Sequence, residues 1–188
     1  KTNKVLTISL HESGYSLFPG TGFEYEIGEG EGEGYAVNIP FHPYTDDEAY
    51  VWAFEEIVPT LIHAFQPDIV VTQLGLDTFY NDPLTNLHLT IHGYEKIIQR
   101  IRVLAPRWVA LGGGGYDVSN VARAWTLAWA IMNGIELSDE LPETYTKRAT
   151  KLGIYEKELR GSLKSSSYLR TDVRMEAERV VNYLKKTG

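Results

Sequence analysis

The sequence predicts an α/β fold in which layers of helix pack on a mostly parallel sheet, and three observations carry that prediction. Four short apolar runs alternate with segments of helical periodicity. The runs are short, nearly continuous in apolar residues and flanked by Gly and Pro, as strands buried on both faces are. Three of them are followed by loops of unusual composition, and in open α/β sheets ligands bind beyond the carboxyl ends of the strands.

The elements follow in order. Val5-Leu6-Thr7-Ile8-Ser9-Leu10 reads as the first strand, Tyr35-Ala36-Val37-Asn38-Ile39 as the second, Asp68-Ile69-Val70-Val71-Thr72-Gln73-Leu74 as the third and Trp108-Val109-Ala110-Leu111 as the fourth. Tyr50, Phe54, Ile57, Leu61 and Phe65 recur at helical spacing behind Asp46-Asp47-Glu48, whose negative charge suits a helix N-terminus. Pro59 is expected to break or kink that helix. Tyr94, Ile97, Ile98, Ile101 and Leu104 mark a second helix. Val121, Trp125, Ala128, Trp129 and Met132 mark a third, with Ser119 as cap and Gly134 as stop.

Composition narrows the function classes. The 188 residues contain no cysteine, which excludes a disulfide framework, thiolate zinc fingers and a cysteine nucleophile. Hydrophobic residues make up 43%, ordinary for a globular chain, and no apolar run is long enough to span a bilayer. The opening Lys1-Thr2-Asn3-Lys4 is unlike a signal peptide, so a soluble, cytoplasmic protein is expected. Residues 1–146 carry 7 basic and 20 acidic side chains, a net of −13, which disfavours nucleic acid as a partner. Residues 147–188 carry 11 and 5, a net of +6. A solvated amphipathic face is the favoured reading of that tail, and docking on an acidic surface the other.

The three loops hold the candidate residues. Asp77, in Gly75-Leu76-Asp77, follows a buried strand, where a carboxylate must be paired, hydrogen-bonded or metal-bound; a turn or cap role is equally consistent. Gly112-Gly113-Gly114-Gly115 allows close backbone approach but lacks the Lys and Ser/Thr of a phosphate-binding P-loop. Tyr116 stands where that run exposes it, with a hydroxyl able to donate to a developing oxyanion or simply to line the rim. Phe18-Pro19-Gly20-Thr21-Gly22 is a rigid turn presenting an aromatic, as packing or as a substrate wall. His11 reads as a hydrogen-bonded scaffold residue. His88 and His92 are spaced i,i+4 without the intervening Glu of a zincin. The Gly28-to-Gly34 stretch reads as a solvated acidic loop.

Taken in order, Val5 to His11, Phe18-Pro19-Gly20-Thr21-Gly22, Gly75-Leu76-Asp77, Leu111 to Tyr116 and Asn120-Val121-Ala122-Arg123 resemble the zinc-dependent histone deacetylase family, and within it the bacterial acetoin-utilisation deacetylases. The resemblance spans residues 1–135, leaving 136–188 as a basic, helical C-terminal extension. It implies an arginase/deacetylase-like fold and hydrolysis of acetyl-lysine or a small acetylated amine. It makes Asp77 a ligand of zinc (iron being the alternative) and Tyr116 the catalytic group that stabilises the tetrahedral intermediate. It places Phe18, Leu84 and Gly114 at the substrate. It also implies structural potassium, with Ser9 and Leu10 at one site and Thr2, Val5 and Tyr35 at a second.

One departure from the family pattern has consequences. The family requires two adjacent histidines as acid and base, and an Asp-x-His pair as further metal ligands; neither pattern occurs in the 188 residues. In the family both lie N-terminal to the strand at Val5. The chain is therefore expected to be only the C-terminal half of the domain, to leave strand neighbours unpaired and apolar faces bare, and to be inactive alone. Its partner is then the N-terminal half of the same domain, with no nucleic acid and no membrane. Two other classes are an inactive acyl-lysine binding module and a nucleotide-binding α/β domain using the glycine run.

Overall fold

A computed structural model describes residues 2–161 and 170–187. The chain runs β1 (Thr7–Glu12), β2 (Ala36–Phe41), α1 (Asp47–Phe65), β3 (Val70–Leu74), α2 (Ile91–Leu104), β4 (Trp108–Gly112), α3 (Val118–Asn133), α4 (Glu143–Thr150) and α5 (Arg170–Thr187). All four expected strands form, each displaced by at most two residues at its start. They pair in parallel, but as two separate two-stranded sheets, β1 with β2 and β3 with β4. No helix connects β1 to β2; a long loop with a single short 3-10 turn does.

Helices α1, α2 and α3 each start on a side chain that takes up an orphan amide. Asp46 caps α1 by accepting from the Ala49 amide, and Thr90 caps α2 by accepting from that of His92. Two local expectations are corrected, Pro59 as a helix breaker and Ser119 as a cap. Pro59 lies inside α1 without ending it, because Phe54, Ile57 and Val58 are buried ahead of it and Leu61 and Ile62 pack on the core beyond it, holding the helix in place. Ser119 does not cap α3: Asp117 does, accepting from the Asn120 amide at 2.9 Å, and the Ser119 hydroxyl is left buried without a partner. Gly134 ends α3 in the left-handed conformation, as expected. The buried face of α3 runs through Arg123, Ala124, Leu127, Ala128 and Ile131, which leaves Trp129 exposed.

One apolar core joins β2, α1, α2, α3 and α5. Ile98 is completely enclosed in it. Ile98→Ala is expected to cost about 2–5 kcal/mol of unfolding free energy, read as a lowered urea midpoint with unchanged slope. Residues 162–169 of the basic tail lie outside the described residues; in the part described, α5 is not a solvated face. Val173, Ala177, Val180 and Val181 of α5 are buried in the core, against α1 and β2. Two of its cations meet acidic side chains of the remaining chain, Arg179 pairing with Glu24 at 2.5 Å and Lys185 with Glu56, while Arg174 stacks 3.8 Å from the Trp52 ring centroid. Arg179 holds the Glu24 carboxyl below its usual range although burial acts the other way.

The other face of the β3–β4 pair is bare. Val71, paired with Val109, is 61% exposed, and Leu111, paired with Gln73, is 54% exposed. Parallel strands are ordinarily covered on both faces.

Candidate active-site rim

The rim is built where the loops after β1, β3 and β4 meet. Beyond β3, Leu76 donates its amide to the Gly114 carbonyl at 2.7 Å, which lays the glycine run along the Gly75-Leu76-Asp77 turn. The Asp77 carboxylate sits directly against Gly114, where any Cβ would collide with it. This close approach is the physical reason for glycine at that position. Because its backbone is packed on the β3 turn, the run is no open phosphate cradle. Burial pushes the Asp77 carboxyl up from its usual value, and the neighbouring charge of Asp82 adds to this, against the hydrogen bond from its own amide.

Asp82 ties the rim together. It is buried, and it accepts the Tyr116 amide at 2.8 Å through one oxygen and the Leu84 amide at 2.9 Å through the other. Asp77, Gly114, Tyr116 and Leu84 therefore belong to one connected patch. Asn81 extends it, with its amide donating to Asp117 at 3.3 Å and its carbonyl accepting from Asn120 at 2.6 Å. The Tyr116 ring is 55% exposed and Leu84 is also exposed, so both side chains face outward from anchored backbone.

Phe18 stands in the loop after β1 and is 92% exposed. Its loop is held by His11, whose ring bonds the Ser9 hydroxyl and the Gly22 carbonyl, each at 2.8 Å. A carbonyl only accepts, so Nε2 carries the proton and, in the neutral ring, Nδ1 accepts from Ser9. Gly22, at φ +86°, has no room for a Cβ beside that ring. Glu26 adds hydrogen bonds from the Gly22 and Phe23 amides. His88 and His92 do not converge: His92 bonds the Gly161 carbonyl at 3.1 Å, whereas His88 packs edge-on to Tyr44.

The residues assigned to potassium fall at two levels of β1. Ser9 and Leu10 lie within the strand, Leu10 pairing with Ile39. Tyr35 lies at the opposite end from the rim, its carbonyl accepting the Thr7 amide at 3.0 Å. The Thr2 hydroxyl accepts the Lys4 amide at 3.3 Å, and Val5 is exposed. Tight zinc binding takes three protein ligands and a water. Asp77 is one carboxylate, and among the described residues no three His, Asp or Glu side chains are gathered to hold a metal. The donor set of this chain alone does not fit a tight divalent site.

Two buried carboxylates, Glu12 and Asp82, received no role from the sequence. Their sequence neighbours, His11 and Ser13 for Glu12 and Asn81 and Pro83 for Asp82, give no local sign of burial, and a carboxylate stays buried only if donors converge on it. One donor to each, Ser16 or Leu84, is near in sequence, but Asn86 and Tyr116 come from segments 74 and 34 residues away, which spacing does not reveal.

A histone deacetylase domain matches residues 1–132. The acetoin utilization protein AcuC of Bacillus subtilis (strain 168) is 42% identical over 144 residues, covering 73% of this chain and 37% of that protein. Histone deacetylase 1 of Homo sapiens is 40% identical over 141 residues, covering 75% of this chain and 29% of that protein. Among solved structures, a histone deacetylase homologue from Aquifex aeolicus aligns with a TM-score of 0.85 at 29% identity, over 98% of this chain and 52% of the other. A deacetylase homologue complexed with SAHA also aligns at 0.85, covering 96% of this chain and 50% of its own. The chain thus spans well under half the length of these curated relatives and about half of the solved homologues. No helix among the described residues is long and apolar enough to cross a membrane. The sequence match over 1–132 and the fold match over nearly the whole chain place this protein in the histone deacetylase domain family.

Proposed function

We propose that this chain is the C-terminal half of a metal-dependent deacetylase that hydrolyses an N-acetylated amine, acetyl-lysine or a small relative of it. The observation that carries this reading is the joined patch in which Asp82 holds the backbones of Tyr116 and Leu84 beside the Asp77 carboxylate. Asp77 supplies one ligand for zinc, with iron as the alternative metal. The remaining ligands and the acid and base come from the N-terminal half of the domain. Zinc, when bound, lowers the pKa of its water to about 7 and polarises the amide carbonyl. The Tyr116 hydroxyl donates to the oxyanion of the tetrahedral intermediate. Phe18 and Leu84 flank the acyl-lysine stem, and Gly114 lies at its inner end. Ser9 and Leu10, and separately Thr2, Val5 and Tyr35, contribute to potassium sites that stiffen β1. The bare face carrying Val71, Val109 and Leu111 supports the same reading, since covering it removes apolar area from water.

The test compares this polypeptide alone with the same polypeptide joined to, or mixed with, the N-terminal half of the domain. The chain alone is expected to retain no zinc through dialysis and to release no acetate from an acetyl-lysine peptide. The completed domain is expected to hold one zinc and turn over. Tight zinc and full turnover by the chain alone would overturn the assignment.

A further inference from the structure

We infer that Glu12 is a positioning residue that sets the separation of the two substrate walls, Phe18 and Leu84, an inference that rests on the acyl-lysine reading of the rim. Glu12 is 4% exposed at the carboxyl end of β1. A carboxylate so enclosed is costly unless hydrogen bonds replace its water. Three do. Oε1 accepts from the Ser16 hydroxyl at 2.8 Å and from the Asn86 side-chain amide at 3.0 Å, and Oε2 accepts from the Asn86 backbone amide at 2.7 Å.

The placement of those donors gives the bridge its consequence. Ser16 lies two residues before Phe18, and Asn86 lies two residues after Leu84. Both wall side chains are exposed, so their positions follow the anchors of their loops. Asn86 is also fixed from the far side, its carbonyl accepting the Tyr44 amide at 2.6 Å. On the other flank Asp82 joins Leu84 to Tyr116. The Phe18 loop, the Leu84 loop and the tyrosine loop are thus linked in series, and Glu12 is the side-chain link between the first two.

Glu12→Ala leaves both Asn86 donors without an acceptor, leaves the Ser16 hydroxyl only the Ser13 carbonyl at 3.0 Å, and cuts the link. Glu12→Gln keeps it: the carbonyl accepts the Asn86 amide, while the new NH2 donates to a rotated Ser16 hydroxyl and a flipped Asn86 carbonyl. In the completed domain, Glu12→Ala is expected to raise KM for an acetyl-lysine peptide about tenfold, with kcat within about threefold, because the walls hold the stem and not the reacting atoms. Discrimination against a bulkier stem, a peptide carrying 4-(acetamidomethyl)phenylalanine, is expected to narrow by a similar factor. Glu12→Gln is expected to stay within about threefold of the parent in both measures. Hydrogen exchange of the same variants reads the bridge without turnover: in Glu12→Ala the amides of residues 14–17 and of Asn86 exchange faster together, while α2 is unchanged. Unchanged KM and stem selectivity in Glu12→Ala would overturn the inference, as would Glu12→Gln behaving like Glu12→Ala. If the parent domain fails to hydrolyse either peptide, the deacetylase reading fails; coupled exchange of the two loops then upholds the bridge, and uncoupled exchange rejects it.

Discussion

Asp77→Ala, made in the domain completed by its N-terminal half, is expected to remove tightly held zinc and to lower turnover by at least about 10²-fold. Loss of a group that merely supports a metal ligand costs about 10–100-fold, and loss of a ligand costs more. The local chemistry points the same way. The carboxylate is packed against Gly114 and lies within the field of Asp82, and both burial and that charge disfavour its ionised form. A cation opposite it reverses the balance. The stability of the metal-free protein separates this role from a structural one. A carboxyl whose folded pKa is raised costs stability when ionised, and that cost disappears as pH falls through the folded value. Asp77→Ala is therefore expected to leave the metal-free urea midpoint at neutral pH unchanged or slightly raised. Retention of one zinc per chain after dialysis in this variant would remove Asp77 from the ligand set.

Tyr116→Phe is expected to lower kcat by about 10²–10³, the cost of one oxyanion donor, with zinc content and KM close to the parent values. The substitution is clean because the loop is held by its backbone: the Tyr116 amide stays on Asp82, and the ring is half in solvent. Only the hydroxyl is lost. Activity within about threefold of the parent would show that another group stabilises the intermediate.

Most of the architecture was legible in the sequence, for identifiable reasons. The four β-rich runs and three helical periodicities record which side chains must leave water, and burial is a local demand that neighbouring residues reveal. The loop residues Phe18, Asp77, Gly114 and Tyr116 stood out because glycine runs and lone acidic or aromatic groups at strand ends are expensive to keep without a use. The errors share a cause. Pro59 carries a helix-breaking signal that the packing of Phe54, Ile57 and Val58 overrides. Ser119 is a good cap by type, but α3 starts at Val118, so the capping position falls on Asp117, two residues earlier, which accepts the Asn120 amide. The basic tail resembles a solvated face until Val173, Ala177, Val180 and Val181 are seen to complete the core.

By itself the sequence determined the α/β class, the parallel pairing, the family and the pair Asp77 and Tyr116 as the chemical candidates. It also shows that neither His-His nor Asp-x-His occurs in these 188 residues, because both are contiguous patterns that a chain either contains or lacks. Only the tertiary structure decided how the rim is held. The carboxylates of Glu12 and Asp82 and the docking of α5 on Glu24 and Glu56 depend on groups 34 to 155 residues apart. A buried charge needs its donors close in space, and nothing in residue type or spacing specifies which distant segment will supply them.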